Sequence, residues 1–434
     1  MNKQKVMNRG LVVLGAILIQ LALGAIYAWS VFTPVLKAEG WTSSDTQWVF
    51  AIGLASFAVF MVFAGKKLKS WGPRNLAIIG GLILGLGYAL AGLFGGTSFW
   101  ALVLLLGLVG GAGIGLAYVV PIAVGMQWFP DKKGMITGLA VAGFGFGAMG
   151  WVKLAGSWGH LLDNIGLANT FIVYGVAFAI MVIIGGIWMV FPPEGWKPEG
   201  YLPPEAAELK KKNIGLRDFT SSEMLGTYQF YFIFLTFVFS AGAGLMSIGL
   251  MKLYPMQALM DAGMSEVQAS AVSGTAMAVF FSLANGLGRI LWGLLSDLLG
   301  RKLSIIIMTA TQGILVIAFT YMAGNEILLY VGATLIGFNF GGNFALFPTI
   351  TADTFGAKNV GQNYPFIFLA YGVGGILGPM LGGHLGDLDN FPLAFTISGI
   401  AVLVGTVLTI LVKPAADKKA AVPTGDQQTN MASA

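Results

Sequence analysis

Gly293-Leu-Leu-Ser-Asp297-Leu-Leu-Gly300-Arg301-Lys302 repeats, in its spacing, an earlier stretch of the same chain, Gly65-Lys-Lys-Leu-Lys69-Ser-Trp-Gly72-Pro73-Arg74. Each sets two glycines seven residues apart just ahead of a basic residue. By themselves these are two polar turns. Their weight comes from position, because each closes the second in a series of six long apolar runs. A helix needs about 20 apolar residues to cross a hydrocarbon core about 30 Å thick, at about 1.5 Å per residue. Twelve runs reach that length, at approximately 10 to 34, 46 to 65, 75 to 95, 98 to 125, 134 to 157, 168 to 191, 228 to 252, 267 to 295, 303 to 323, 327 to 350, 363 to 386 and 391 to 412. Hydrocarbon offers backbone N–H and C=O groups no partner, so continuous helices satisfy them, whereas a β-barrel would show alternating strands of about ten residues. The sequence therefore predicts an all-α membrane protein with twelve transmembrane helices in two pseudo-repeated six-helix bundles.

Composition and charge agree. Of 434 residues, 56% are hydrophobic and only 10% charged, against about 25% charged in a soluble chain. The first run follows Lys3, Lys5 and Arg9 as a secretory signal would, but it continues past Ala22-Leu23-Gly24 to Leu36. That exceeds a signal core of about 7–15 residues, so it is read as a retained helix. Positively charged short loops stay cytoplasmic. With the N-terminus inside, 20 of the 24 Lys and Arg fall in the tails and even-numbered loops; the exceptions are Lys37, Lys153 and Lys252 near outer helix ends, and Arg289 deep within a run. This places both termini in the cytoplasm, in a cell inner membrane, and accounts for the net charge of +5 without nucleic acid. A loop at 192–227, with Pro192-Pro193, Pro203-Pro204 and Lys210-Lys211-Lys212, divides an N-terminal bundle (1–191) from a C-terminal bundle (228–413). The polar tail, 414–434, is read as cytoplasmic and disordered.

Several chemistries are excluded early. Zero cysteine rules out disulfides and thiol catalysis, and His160 and His384 lie far apart, so neither a metal nor a cofactor is expected. Gly145-x-Gly147-x-x-Gly150 matches a dinucleotide fingerprint as a string, but no strand precedes it and no acid follows about 20 residues later. The chain has no His-Glu-x-x-His, Gly-x-Ser-x-Gly or intramembrane carboxylate pair, so an enzyme is not expected. The 63 glycines concentrate within the runs, where small residues let helix backbones approach in lipid and slide during a conformational cycle. Lys153 and Lys252 are expected to snorkel outward, and His384 to sit at an interface.

Arg289 is the charge out of place. It lies about 12 Å inside the helix end marked by Asp297, where a guanidinium costs about 2.5–3.5 kcal/mol on insertion scales. None of the 19 acids falls within a run, so its partner is expected to arrive from solution as an anion. A planar guanidinium suits a carboxylate, donating two parallel hydrogen bonds while staying protonated. Asn285, one turn earlier on the same face, would orient it or contact the ligand.

Trp128-Phe129-Pro130-Asp131-Lys132-Lys133-Gly134, Asp218-Phe219 with Glu223-Met224-Leu225, Ala345-Leu346-Phe347-Pro348 and Asn363-Tyr364 carry a family likeness over nearly all the runs. The chain resembles the major facilitator superfamily and, within it, the oxalate/formate antiporter family with its bacterial monocarboxylate-transporter relatives. The resemblance implies the major facilitator fold and a substrate site in which Arg289 binds the carboxylate. It places the family's tyrosines of runs 1 and 4 at Tyr27 and Tyr118, and its aromatics of run 10 at Phe340 and Phe344. There are departures. Tyr371 stands where the oxalate exchanger has a second cation, Ile26 replaces a polar glutamine, the hydroxyls expected at Phe144 and Phe344 are absent, and Asn285 stands where related carriers have an Asp.

One arginine matches one carboxylate, and an unpaired second charge in low dielectric is costly. The sequence therefore predicts a secondary active transporter of small monocarboxylates, of lactate, pyruvate or formate type, working by alternating access with proton symport or anion exchange. An oxalate:formate antiporter and a membrane ligand sensor without transport are the alternatives. The transport unit is expected to be monomeric, with a small carboxylate, a proton and the lipid bilayer as its partners.

Overall fold

A computed structural model describes residues 7–41, 43–156, 158–201, 217–251, 253–388 and 390–413. Twelve helices are long and apolar enough to cross a membrane: Arg9–Trp29, Trp48–Trp71, Pro73–Gly95, Phe99–Trp128, Lys133–Ala155, Leu161–Ile187, Tyr228–Leu250, Glu266–Leu299, Arg301–Met322, Glu326–Phe355, Ala357–Gly386 and Phe391–Leu411. They are called spans 1 to 12 below. The fold is all-helical, as expected. Helices overrun several apolar runs. The second helix extends over Ser43–Trp71 and carries Lys66, Lys67 and Lys69 in its last turns, and span 10 takes in Asp353. Span 6 begins earlier than expected because a short helical stretch, 161–165, precedes a break at Gly166, φ 76°, beyond which the expected helix follows. Helical hydrogen bonding continues past the apolar run, and long basic side chains there can keep their charged heads in water. Lys252 and the tail from 414 onward lie outside the described residues, as do 202–216 of the central loop.

Burial follows a period of three. In spans 1, 4, 7 and 10 the fraction of the apolar window buried within the protein is 61, 72, 72 and 61%, whereas in spans 3, 6, 9 and 12 it is 50, 44, 44 and 44%. The first set is the most buried of the twelve, in the same positions of both halves; span 11, at 39%, is the least buried. Packing repeats as well: span 1 on 5, 2 on 4 and 3 on 6 are matched by 7 on 11, 8 on 10 and 9 on 12. Across the halves, span 5 packs on span 8 and span 2 on span 11.

These two crossings give the glycine repeat its meaning. Gly72 and Gly300 take φ of 76° and 88°, left-handed conformations that suit a residue without Cβ and turn the chain into the next helix. Gly65 and Gly293 are contact points: a Cβ on Gly65 would lie 2.5 Å from the Gly361 carbonyl oxygen, and one on Gly293 would overlap that of Gly134. With an even number of spans, the start of span 1 and the end of span 12 lie on one face of the bundle, called below the face of the chain ends, and both contact points lie toward that face. At the crossing of spans 5 and 8, Asp297 accepts the Gly134 and Met135 amides at 2.9 and 2.7 Å. Arg301 joins Asp297 to Asp353 at 2.6 and 3.2 Å, and Lys133 binds Asp353 at 2.9 Å.

Candidate functional site

Arg289 is held by close backbone packing. A Cβ on Gly138 of span 5 would overlap the Arg289 carbonyl, and one on Gly341 of span 10 would overlap that of Asn285. Span 8 is thus wedged between two helices at the level of its charge. A π-helical segment, Ala276–Phe281, precedes Asn285, and such segments rotate the following residues relative to a regular helix. In span 1 the α-helix gives way to a 3₁₀ segment, Gly24–Val31, that carries Tyr27. Here a Cβ on Gly24 would overlap the Phe144 carbonyl.

The Arg289 side chain is fully buried. Its Nε donates to Asn285 Oδ1 at 3.0 Å and its Nη1 to the Val141 carbonyl at 3.0 Å, while Nη2 has no hydrogen-bond partner. No ion pair joins Arg289 to an acid among the described residues. The cation lies over the Phe344 ring at 4.1 Å and the Phe144 ring at 5.7 Å. A desolvated cation–π contact contributes about 2 kcal/mol, whereas burying a charge costs several. The balance leaves room for an anion.

The other residues expected at the site converge around this cation. Tyr27 and Tyr371 share a hydrogen bond between their hydroxyls, across the two halves. Phe144 packs edge-on to Tyr27 at 5.1 Å and to Tyr118 at 5.4 Å. Phe344 meets Tyr371 at 5.4 Å. Phe340 is set back, touching Phe344 at 5.5 Å and packing against Gly244 of span 7. Tyr118 is buried and its hydroxyl is unpartnered. Of the groups weighed against a site role, His384 is exposed and Lys153 partly buried, each toward the face opposite the chain ends.

Some neighbours escape a reading of the sequence. Phe57 and Phe368 pack on each other at 5.0 Å and both pack on Tyr118, at 5.0 and 5.4 Å. Gln20 donates to the Tyr118 carbonyl at 3.3 Å and leaves its own amide oxygen unpartnered. Its signal was available, as an uncharged amide in an apolar run. Tyr364 is fully buried with an unpartnered hydroxyl; in the sequence it figures only as part of a family string.

Twelve spans in two six-helix halves with the same packing order define a class of integral membrane protein. The model of the Major Facilitator Superfamily matches residues 12–280 and 233–433, and the chain belongs to that superfamily of transporters. An uncharacterized MFS-type transporter, YhjX, of Escherichia coli is 28% identical over 372 residues, covering 85% of this chain and 86% of that one. The oxalate:formate antiporter of Oxalobacter formigenes is 26% identical over 407 residues, covering 93% and 90%. Human monocarboxylate transporter 14 is 23% identical over 432 residues, covering 85% and 82%. Among solved structures, the fucose:proton symporter FucP of E. coli superposes with a TM-score of 0.65 at 13% identity, over 92% of this chain and 98% of that one. That likeness supports the fold.

Proposed function

We propose that the protein is a secondary active transporter of small carboxylates, foremost monocarboxylates of lactate, pyruvate or formate type, working by alternating access as a proton symporter or an anion exchanger. The observation that carries this reading is Arg289, fully buried, without an acidic partner among the described residues and with Nη2 free to donate. A carboxylate would complete the guanidinium's hydrogen bonds and cancel its charge. Tyr371, the residue in place of a second cation, spends its hydroxyl on Tyr27, and phenyl rings flank the guanidinium. That wall suits a methyl or short alkyl group better than a second carboxylate. The names of the oxalate:formate antiporter and monocarboxylate transporter relatives point to the same class.

In this reading the two bundles, 1–191 and 228–413, rock about the site, joined by 192–227. The transport unit is one chain in a cell inner membrane, its termini cytoplasmic. The cargo crosses chemically unchanged.

The test is counterflow of labelled lactate, pyruvate, formate and oxalate in proteoliposomes carrying wild type, Arg289→Lys or Arg289→Ala. Wild type is expected to exchange the monocarboxylates, and both variants to lose at least about 30-fold, or ~2 kcal/mol, as when one partner of a desolvated charge pair is removed. Near-normal exchange by both variants would overturn the assignment. Preference for oxalate would favour the antiporter alternative, and binding without counterflow would favour a sensor.

A further inference from the structure

Tyr364 lies four residues into the helix Val360–Asp387, about 6 Å from its start, whereas Arg289 lies ten residues, about 15 Å, from the end of span 8. Both of those helix ends lie toward the face that carries the chain ends. Tyr364 is therefore nearer that face than the guanidinium is. It shares one helical stripe with Phe368 and Tyr371, its ring meeting Phe368 edge-on at 5.7 Å and Phe368 stacking on Tyr371 at 5.1 Å. Just beyond it spans 2, 4 and 11 close on one another as a seal: a Cβ on Gly361 would overlap Leu68 and lie 3.0 Å from the Ala123 side chain. Behind this seal Tyr364 is fully buried and its hydroxyl bonds nothing. The Tyr118 hydroxyl, also orphaned, belongs to the same aromatic cluster, its ring packing on Phe368 at 5.4 Å.

An unsatisfied buried hydroxyl costs about 1–3 kcal/mol, and phenylalanine would fill the same space without that penalty. Two such hydroxyls, reaching from a lone cation toward a seal, read as a path along which an anion finds donors as it leaves the guanidinium. We propose that the Tyr364 hydroxyl is a second station for the carboxylate of a small organic acid, between Arg289 and the seal at Gly361, reached by way of the Tyr118 hydroxyl. The proposal rests on Arg289 being the cation that binds the carboxylate. When the seal opens, Tyr364 is the donor that receives the carboxylate before water does.

The experiment uses the full chain and a Tyr364→Phe variant, which keeps the ring and removes the oxygen. Three quantities are measured: the melting temperature without ligand, the stabilisation by pyruvate or lactate, and the maximal rate of counterflow in proteoliposomes. The expected result is a ligand-free melting temperature unchanged or raised, ligand stabilisation retained, and counterflow slowed about tenfold, the scale of one hydrogen bond to a charged group. Tyr118→Phe is expected to slow counterflow too. A lower ligand-free melting temperature would show a structural hydroxyl and overturn the proposal, as would an unchanged counterflow rate. Arg289→Ala run alongside separates the two failures. If it loses stabilisation by the acids while Tyr364→Phe exchanges normally, only the second station falls; if it retains it, or wild type binds none of them, the carboxylate reading falls and the station with it.

Discussion

The crossing of spans 5 and 8 and the crossing of spans 2 and 11 occupy equivalent places in the repeat, yet they are closed by different forces. At the first, the Asp297 carboxylate caps the start of span 5 through two backbone amides and is tied through Arg301 to Asp353, which also holds Lys133. A carboxylate at a helix N-terminus is favoured by the macrodipole and by charge-assisted hydrogen bonds. At the second, the equivalent position is Lys69, whose ammonium donates to Asn359 Oδ1 at 2.7 Å, just ahead of the helix Val360–Asp387. A cation there opposes the dipole. What holds this crossing is contact, Gly65 on Gly361, and a strap: Asn359 and Asn363 both donate to the Phe219 carbonyl, and the Phe219 amide donates to Phe355. One crossing is held by an electrostatic latch and the other by packing, although the same glycine spacing marks both.

Removing the latch gives the largest expected effect. Asp297→Asn keeps the shape but loses the charge that Arg301 and two amides share, at a cost of about 2 kcal/mol. The chain has no cysteine, so a single Ala123→Cys substitution at the seal supplies a reporter thiol whose maleimide labelling follows opening. Labelling is expected to quicken about tenfold or more in Asp297→Asn. An unchanged rate would remove the distinction between the two crossings.

Lys69→Asp sharpens the comparison from the other side. It puts a carboxylate where the first crossing has one, at the start of the following helix. Because the position is exposed, the gain is expected to be about 0.3–1 kcal/mol. Labelling of the reporter thiol should slow about twofold to fivefold, and counterflow should slow with it, since a latch on both crossings holds the face shut. Faster labelling would show that Lys69 contributes through its bond to Asn359 rather than opposing the dipole.

The sequence made some of this legible and hid the rest for definite reasons. The spans could be read because crossing hydrocarbon demands a length and polarity that local composition records. Arg289 could be read because a guanidinium in an apolar run is costly wherever its neighbours lie, and Asn285 because four residues along a helix is one turn. The bond from Tyr27 to Tyr371 spans 344 positions, and helical periodicity carries no information about which helices meet. Asp297 and Lys69 look alike in a sequence, as polar residues near the ends of apolar runs. Only the packing shows that one caps span 5 while the other sits against span 11. The glycines posed the same problem, since Gly138 and Gly341, which bracket Arg289, resemble dozens of others until a Cβ is tried there.

The smallest expected effect concerns the strap. Glu223 closes a capping box with Thr220, accepting the Thr220 amide at 2.8 Å and its hydroxyl at 2.9 Å, and it pairs with Arg217 at 3.1 Å. These bonds, the Thr220 amide first, hold its carboxyl below the usual glutamate range. A carboxylate with a depressed folded value contributes stability above its unfolded value, near pH 4.3, and loses it as pH falls through the folded value. The box should therefore be intact at neutral pH and loosen only in acid below about pH 4.3. Amide hydrogen exchange at Thr220 and Glu223 is expected to quicken there beyond the intrinsic pH trend, with only a small rise in labelling of the Ala123→Cys reporter. Glu223→Gln, which keeps the acceptor without the titration, should abolish the acid-dependent step. If acid instead exposes the reporter thiol strongly, the packed crossing depends on a charge after all, and the contrast between the two crossings weakens.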